Sequence, residues 1–318
     1  MTIAEKAGQD YKRVVVTGGA GFIGSHLCEQ LLAREVEVHV ADNLLTGIDN
    51  IPHIRYGNRV QSSNTDLSDF RQTEKFFDNA EPDAVFHFAA FPTVSVGADS
   101  DRSHLNNNIL ATYNVLEAMR YCGAKKFIFA STCTVYGPAK KIPTPETETL
   151  KPISLYGASK AACEALACSF ANNYGFTSTV LRYANVVGPR SKHGVTYDFV
   201  TKLDKNPKKL EVLGEGTQEK SYVYVEDAVD ATFLAAQKNT LPYDVFNVGS
   251  EDSLTTLQIA SIVSNKMRIK PKIVCTGGQA WKGDVTKMLL DCSKIRKLGW
   301  KPWCNSTQAV EKTVEGLI

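Results

Sequence analysis

Short apolar runs alternate with segments of helical period along the first half of the chain. Arg13–Thr17 (RVVVT) is continuous in valine, the pattern of a strand buried on both faces. In residues 22–34, Ile23, Leu27 and Leu31 recur at every fourth position with Cys28 and Leu32 beside them, which predicts a helix. Val36–Ala41 predicts a second strand, and a third ends near Asp66. Segment 68–80 has a helical period, and Pro82 opens a fourth strand over Asp83–Ala90 (DAVFHFAA). A helix over about 103–121 carries Leu105, Ile109, Tyr113 and Leu116 on one side. Lys126–Ala130 predicts a fifth strand, 156–174 a helix and Ser178–Tyr183 a sixth strand. Strands alternating with helices in this way make βαβ units, so the expected fold is α/β with a doubly wound parallel sheet.

Beyond residue 186 the pattern changes to short elements around a Gly- and Lys-rich stretch, Asn206–Lys220. These predict a smaller, mixed α/β C-terminal lobe. The expected division puts 1–185 and about 225–250 in the sheet domain, and 186–224 with 251–318 in the lobe. No internal repeat or low-complexity tract interrupts this organisation.

Composition narrows the function. A chain of 318 residues, 43% of them hydrophobic, has about two domains' worth of sequence and can fold without disulfides or metal. Thirty-six basic against 34 acidic residues leave a net charge of +2, which excludes a strongly basic nucleic-acid binder. No run of about 18 apolar residues predicts a membrane span, and the first residues lack a signal-peptide core. The eight cysteines form no C-x-x-C pair and the six histidines do not cluster with them, so no metal site is expected. Scattered thiols fit a reducing compartment, and a cytoplasmic protein is expected.

The first strand runs into Thr17–Ser25 (TGGAGFIGS), with glycines at Gly18, Gly19, Gly21 and Gly24. A side chain in such a loop blocks the tight turn, the approach of a pyrophosphate, or the packing of helix on strand. The helix beginning at Phe22 and Ile23 aims free backbone N–H groups at that pyrophosphate. Between a strand and a helix this loop predicts a dinucleotide site; the alternative is a simple tight turn. Asp42 ends the second strand, where a carboxylate accepts hydrogen bonds from ribose hydroxyls and repels a 2′-phosphate. Asn43–Gly47 (NLLTG) offers no Arg to hold such a phosphate, so NAD is expected rather than NADP. A turn cap is the alternative role for Asp42. Asp66 and Leu67 follow the third strand within reach of an adenine edge, and an N-cap role for Asp66 is compatible with that.

Tyr156 and Lys160 in YGASK stand four residues apart on one helix face. An ammonium beside a phenol favours the phenolate; moving a tyrosine pKa from about 10 to about 7 takes about 4 kcal/mol. Such a tyrosine exchanges protons with a sugar or alcohol hydroxyl. Alone, this pair is common on protein surfaces; behind a dinucleotide loop it gains weight. Ser131–Gly137 (STCTVYG) ends the fifth strand, where a hydroxyl either bonds the substrate oxygen or caps a loop.

Together TGGAGFIGSHL at 17–27, Asp42-Asn43, HFAA at 87–90, STCTVYG at 131–137, YGASK at 156–160 and LRYANVVGPR at 181–190 resemble the extended short-chain dehydrogenase/reductase family. Within it the chain is most similar to nucleotide-sugar epimerases of the UDP-glucose 4-epimerase kind, from about residue 13 onward. The resemblance implies a Rossmann domain with tightly bound NAD and a smaller lobe for a nucleotide diphosphate-sugar. The implied reaction is 4-epimerisation, UDP-glucose/UDP-galactose first, through a transient 4-keto sugar. UDP-glucuronate or UDP-N-acetylhexosamine is the alternative substrate, and a non-catalytic NAD-binding scaffold the distant alternative.

The resemblance also implies roles. Thr132 hydrogen-bonds the sugar 4-hydroxyl, Tyr156 is the base, and Lys160 holds the nicotinamide ribose. Phe88, Ala89, Ala90, Asn108 and Tyr183 flank the cofactor, Asn108 also supporting the network of Thr132, Tyr156 and Lys160, while Ser95 and Asn185 face the substrate. Dehydratases of the family carry acidic residues just after the Ser/Thr; here Cys133 and Thr134 follow Thr132, which favours an epimerase. In Gly216–Lys220 (GTQEK), Lys220 replaces a family arginine that binds diphosphate, and in Trp281–Asp284 (WKGD), Trp281 replaces another. Lysine is a point charge without the bidentate fork of arginine. Lys282 reaching in, or Trp281 stacking on a base or sugar, would compensate, with Asp284 beside them. In many relatives the helices near 103–121 and 156–174 pair into a homodimer.

Overall fold

Val14, Val15 and Val16 are completely buried, as a strand between two helical layers requires, in a computed structural model describing residues 11–54, 59–93, 102–278, 280, 281 and 283–318. This strand, β1 (Arg13–Thr17), is followed by α1 (Phe22–Ala33), β2 (Glu37–Asp42) and β3 (Val60–Asn64). Then come α2 (Phe70–Ala80), β4 (Ala84–His87), α3 (Ala111–Cys122), β5 (Lys126–Thr132), α4 (Leu155–Tyr174) and β6 (Thr177–Tyr183). After β7 (Asn185–Val187), α5 (Val195–Lys205), β8 (Lys209–Val212), β9 (Glu219–Lys220) and β10 (Tyr222–Tyr224), the chain returns through α6 (Val225–Lys238) to β11 (Tyr243–Val248). It ends with β12 (Leu254–Thr255), α7 (Thr256–Lys266), β13 (Lys272–Cys275), β14 (Lys287–Met288), α8 (Ser293–Lys297) and α9 (Ser306–Glu315).

The main sheet has the order β11-β6-β5-β4-β1-β2-β3, and every pairing in it is parallel. The doubly wound α/β fold expected from the sequence is therefore present. Helices α1 and α6 cover one face, where Leu27, Leu31 and Phe233 pack on Val14 and Val16. Helices α2, α3 and α4 cover the other, with Phe77, Met119 and Phe170 over Val15 and Phe127. Strand order reverses between β1 and β4, which opens a crevice at their carboxyl ends. A third apolar cluster, centred on Phe199, Ile259 and Val310, holds α5, α7 and α9 around the short strands that close this crevice from outside.

Several boundaries differ from the sequence expectations, each for a local reason. The fourth strand stops at His87 instead of Ala90, and Phe88–Ala90 leave the sheet to line the crevice. The third ends at Asn64, and the fifth extends to Thr132. Helix α2 starts at Phe70 because the Asp69 side chain accepts from the N–H groups of Arg71 and Gln72. That takes the N-cap role considered for Asp66, whose carboxylate instead accepts from Ser68 N and Oγ. The helix predicted over 103–121 begins as a π-helical turn, Leu105–Leu110, before α3. The seventh strand, β11, was hidden by its sequence: an edge strand carries polar Asp244 and Asn247 rather than a valine run. Among the described residues no helix is long and apolar enough to cross a membrane.

Candidate active site

The crevice is a cavity of about 1010 Å³ at the carboxyl ends of β1, β4, β5 and β6, walled on its far side by the C-terminal lobe. Its inner end is the glycine loop. Gly18 has a φ of +69°, and a Cβ on it would lie 2.5 Å from Ala89 N; a Cβ on Gly24 would lie 2.2 Å from Gly18 O. The N-cap of α1, Gly21, has no side chain to cap the helix, so among the described residues its first amides are left to meet an anion. A pyrophosphate fits such a bare cradle. Phe22 and Ile23 line the cavity beside Gly18, Gly21 and Gly24.

At the end of β2, Asp42 Oδ2 accepts from Ala20 N at 3.0 Å and Oδ1 from Leu44 N at 2.9 Å. The turn-cap alternative therefore holds, and it leaves lone pairs on both oxygens for ribose hydroxyls. Burial raises this carboxyl above its ordinary value. Asn43 and Leu67 line the same end of the cavity, whereas Asp66 does not. Across the crevice stand Phe88, Ala89, Ala90 and Tyr183, the last with its hydroxyl 2.6 Å from Thr232 Oγ1.

The predicted catalytic residues Thr132, Tyr156 and Lys160 all line this cavity. Thr132, buried at the tip of β5, accepts through Oγ1 from Thr134 N and Thr134 Oγ1, both at 3.2 Å. The loop-cap alternative is thus realised, and the Thr132 proton stays available to donate. Ser154 caps α4 by accepting from Gly157 N. One turn in, Tyr156 lines the cavity, and the next turn buries Lys160. Lys160 Nζ donates to Ala130 O at 2.9 Å and lies 4.7 Å above the Phe129 ring. Burial pulls this amine down to about 8. The Tyr156 phenol is pushed up, first by burial and then by the thiols of Cys133 and Cys163. That is opposite to the lowering expected from the lysine alone: desolvation dominates the shift.

Asn108 does not line the cavity. It lies buried behind the cavity wall in the π-helical turn, accepting from Phe91 N at 2.7 Å and donating to Ser159 Oγ at 2.8 Å. Its neighbour Asn107 faces the cavity instead. The extra residue of the π turn rotates 108 inward, where it clamps the Phe91 loop to α4.

At the outer end, Lys220 Nζ is 2.7 Å from Asp284 Oδ1 and 5.0 Å above the Trp281 ring. Trp281 Nε1 and Asp284 Oδ2 are buried without a hydrogen-bond partner among the described residues. Asn185 lines the cavity next to them and donates to Ser221 O. Ser95 and Lys282 lie outside the described residues.

Sequence reasoning missed two buried groups behind the site. His87 is held between Thr17 Oγ1, at 2.6 Å, and Thr112 Oγ1, at 2.9 Å. Glu164 pairs with Arg182 at 2.6 Å. The available signals were a charged residue inside the strand TSTVLRY, and a glutamate one turn beyond Lys160 on the Tyr156 face.

A sequence profile of the NAD dependent epimerase/dehydratase family matches residues 14–249. A putative UDP-glucose 4-epimerase of Methanocaldococcus jannaschii is 31% identical over 308 residues, covering 95% of this chain and 97% of the relative. A crystal structure of UDP-galactose 4-epimerase superimposes with a TM-score of 0.86 at 43% identity, covering 96% of this chain and 98% of that one. The UDP-glucose 4-epimerase of Thermus thermophilus in complex with NAD gives a TM-score of 0.86 at 34% identity over the same shares.

Proposed function

Because the chain belongs to the NAD dependent epimerase/dehydratase family, we propose that it catalyses the 4-epimerisation of a nucleotide diphosphate-sugar, with UDP-glucose and UDP-galactose as the interconverted pair. The observation that carries this is a single cavity lined by the glycine cradle, by Thr132, Tyr156 and Lys160, and by the Lys220–Asp284 pair. Cys133 and Thr134 supply no acid beside Thr132: burial pushes the Cys133 thiol up to about 11. Elimination needs a second acid–base group, whereas inversion at C4 needs one proton shuttle and a reversible hydride acceptor.

Bound NAD supplies that hydride acceptor together with a positive ring charge at the crevice. The protein's residues do the rest. Thr132 donates to the 4-oxygen of the sugar, and Tyr156 takes the hydroxyl proton and returns it once the 4-keto sugar has presented its other face. Lys160, anchored on Ala130 O, holds a cation behind the ribose. The buried phenol is held high by desolvation, so Tyr156 depends on added positive charge in the loaded site to act as a base. Lys220, Trp281 and Asp284, on segments 186–224 and 251–318, bind the nucleotide end together with Asn185 at the edge of the sheet domain. Binding there retains the 4-keto sugar while it turns over.

The glucose/galactose pair is favoured by the likeness to a UDP-galactose 4-epimerase at 43% identity and to the UDP-glucose 4-epimerase of Thermus thermophilus at 34%. Eight free cysteines support a reducing cytoplasm. Exposed Leu110, Tyr113 and Tyr121 near or on α3, with Leu155 and Tyr174 at α4, support a homodimer.

The test incubates purified protein with UDP-glucose, UDP-galactose, UDP-glucuronate and UDP-N-acetylglucosamine without added NADH, and follows the C4 configuration by proton NMR. Interconversion of the first two is expected; inertness toward all four rejects the assignment. Tyr156→Phe is expected to lower kcat about 10²- to 10⁴-fold with NAD still bound.

A further inference from the structure

Behind the catalytic cluster runs a buried polar network that the reaction does not itself consume. Ser131 Oγ donates to Glu164 Oε1 at 2.5 Å. Arg182 donates to both oxygens of Glu164, Nε to Oε1 at 3.0 Å and Nη2 to Oε2 at 2.6 Å. Its Nη1 donates to Tyr136 Oη at 2.9 Å and to Glu146 O at 3.1 Å. Tyr136 in turn donates to Asn247 Oδ1 at 2.7 Å, and Asn247 Nδ2 donates to Thr144 O and Asp291 O. Asp291 lies three residues past β14, which pairs with β9, the strand of Lys220.

Both Glu164 and Arg182 are almost fully buried. A buried ion pair gives little net stability, because desolvating two charges offsets most of their attraction. Its geometric effect is larger. Lys160 holds α4 to Ala130, and Glu164, one turn on, holds it to Ser131, the residue before Thr132. Two consecutive clips thus fix the helix carrying Tyr156 against the strand tip carrying Thr132. The Tyr136 branch ties the same point to the segment that follows β14, the partner strand of Lys220's β9.

We propose that Glu164 and Arg182 are positioning residues: they set the placement of Tyr156 against Thr132 and, through Tyr136 and Asn247, register it with the strand pair that carries Lys220. This role rests on the epimerase chemistry proposed above. Displacement of a reacting group by about 1 Å costs about 100-fold in rate.

The test replaces the pair with apolar residues of similar volume, Glu164→Leu with Arg182→Met, which relieves the burial of charge while removing the clips. Expected are a thermal midpoint near or above wild type, NAD retained, kcat reduced about 100-fold and, because Arg182→Met also cuts the link to Tyr136, KM raised about fivefold. A double variant with wild-type kcat overturns the proposal and leaves the pair a packing feature. If that variant does not fold, Tyr136→Phe decides, since it leaves the ion pair intact and removes only the hydroxyl link. A rise of about fivefold in KM for the nucleotide-sugar then supports the role, and unchanged kinetics overturn it. A wild type inert toward every nucleotide-sugar overturns the reaction, and the positioning role falls with it; an active wild type with an equally active variant overturns the positioning role alone.

Discussion

His87 ends β4 with both ring nitrogens engaged by threonine hydroxyls and no exposure to solvent. Burial, with the charge of Lys160 adding to it, pulls its pKa from 6.5 down to about 3. Between those values the unfolded chain binds a proton that the folded chain refuses. Stability from this residue is therefore complete above about pH 6.5 and is lost as the pH falls toward 3. Denaturant unfolding at pH 5 is expected to give about 2 kcal/mol less stability than at pH 7 from His87. His87→Gln should remove that part of the slope, and parallel pH dependences for variant and wild type would contradict it. Tyr156, Lys160 and Thr132 were legible in the sequence because their spacing brings them to one helix face and one strand tip. The direction of the Tyr156 shift was not, since spacing reports proximity but not desolvation. Glu164 and Arg182 escaped for the same reason: charged residues are rarely buried, and nothing local announces the partner.

Among the elements, the βαβ march was legible because a strand covered on both faces must be apolar throughout, as β1 is. Helix starts depended on which of several capping residues won, and at α2 it was Asp69 rather than Asp66. The π-helical turn before α3 leaves no compositional trace, yet it decides that Asn107 and not Asn108 meets the cavity. The turn between β1 and α1 is the element most sensitive to substitution. In Gly24→Ala the new methyl meets a backbone oxygen at 2.2 Å, which only a shift of the loop can relieve. The purified variant is expected to lose bound NAD, read by the nucleotide released on denaturation. Gly21→Ala, with its methyl 3.1 Å from the same oxygen, should retain part of it. Equal retention by both would show that the cradle tolerates displacement.

For the whole molecule, the large apolar side chains left exposed around α3 and α4 predict self-association through that face. Sedimentation at micromolar concentration should give twice the mass of one chain, and Tyr113→Glu should halve it; a monomeric wild type would contradict this. The chain crosses between its two lobes repeatedly: β6 leads outward to β7, β10 leads back into α6, and β11 leads outward again to β12. Severing the gene at any single codon consequently releases neither lobe whole. A stop after Val248 would keep the seven sheet strands but remove Asp284 from beside Lys220 and strand β14 from β9, so such a fragment would retain the glycine loop while the far wall of its crevice lay open.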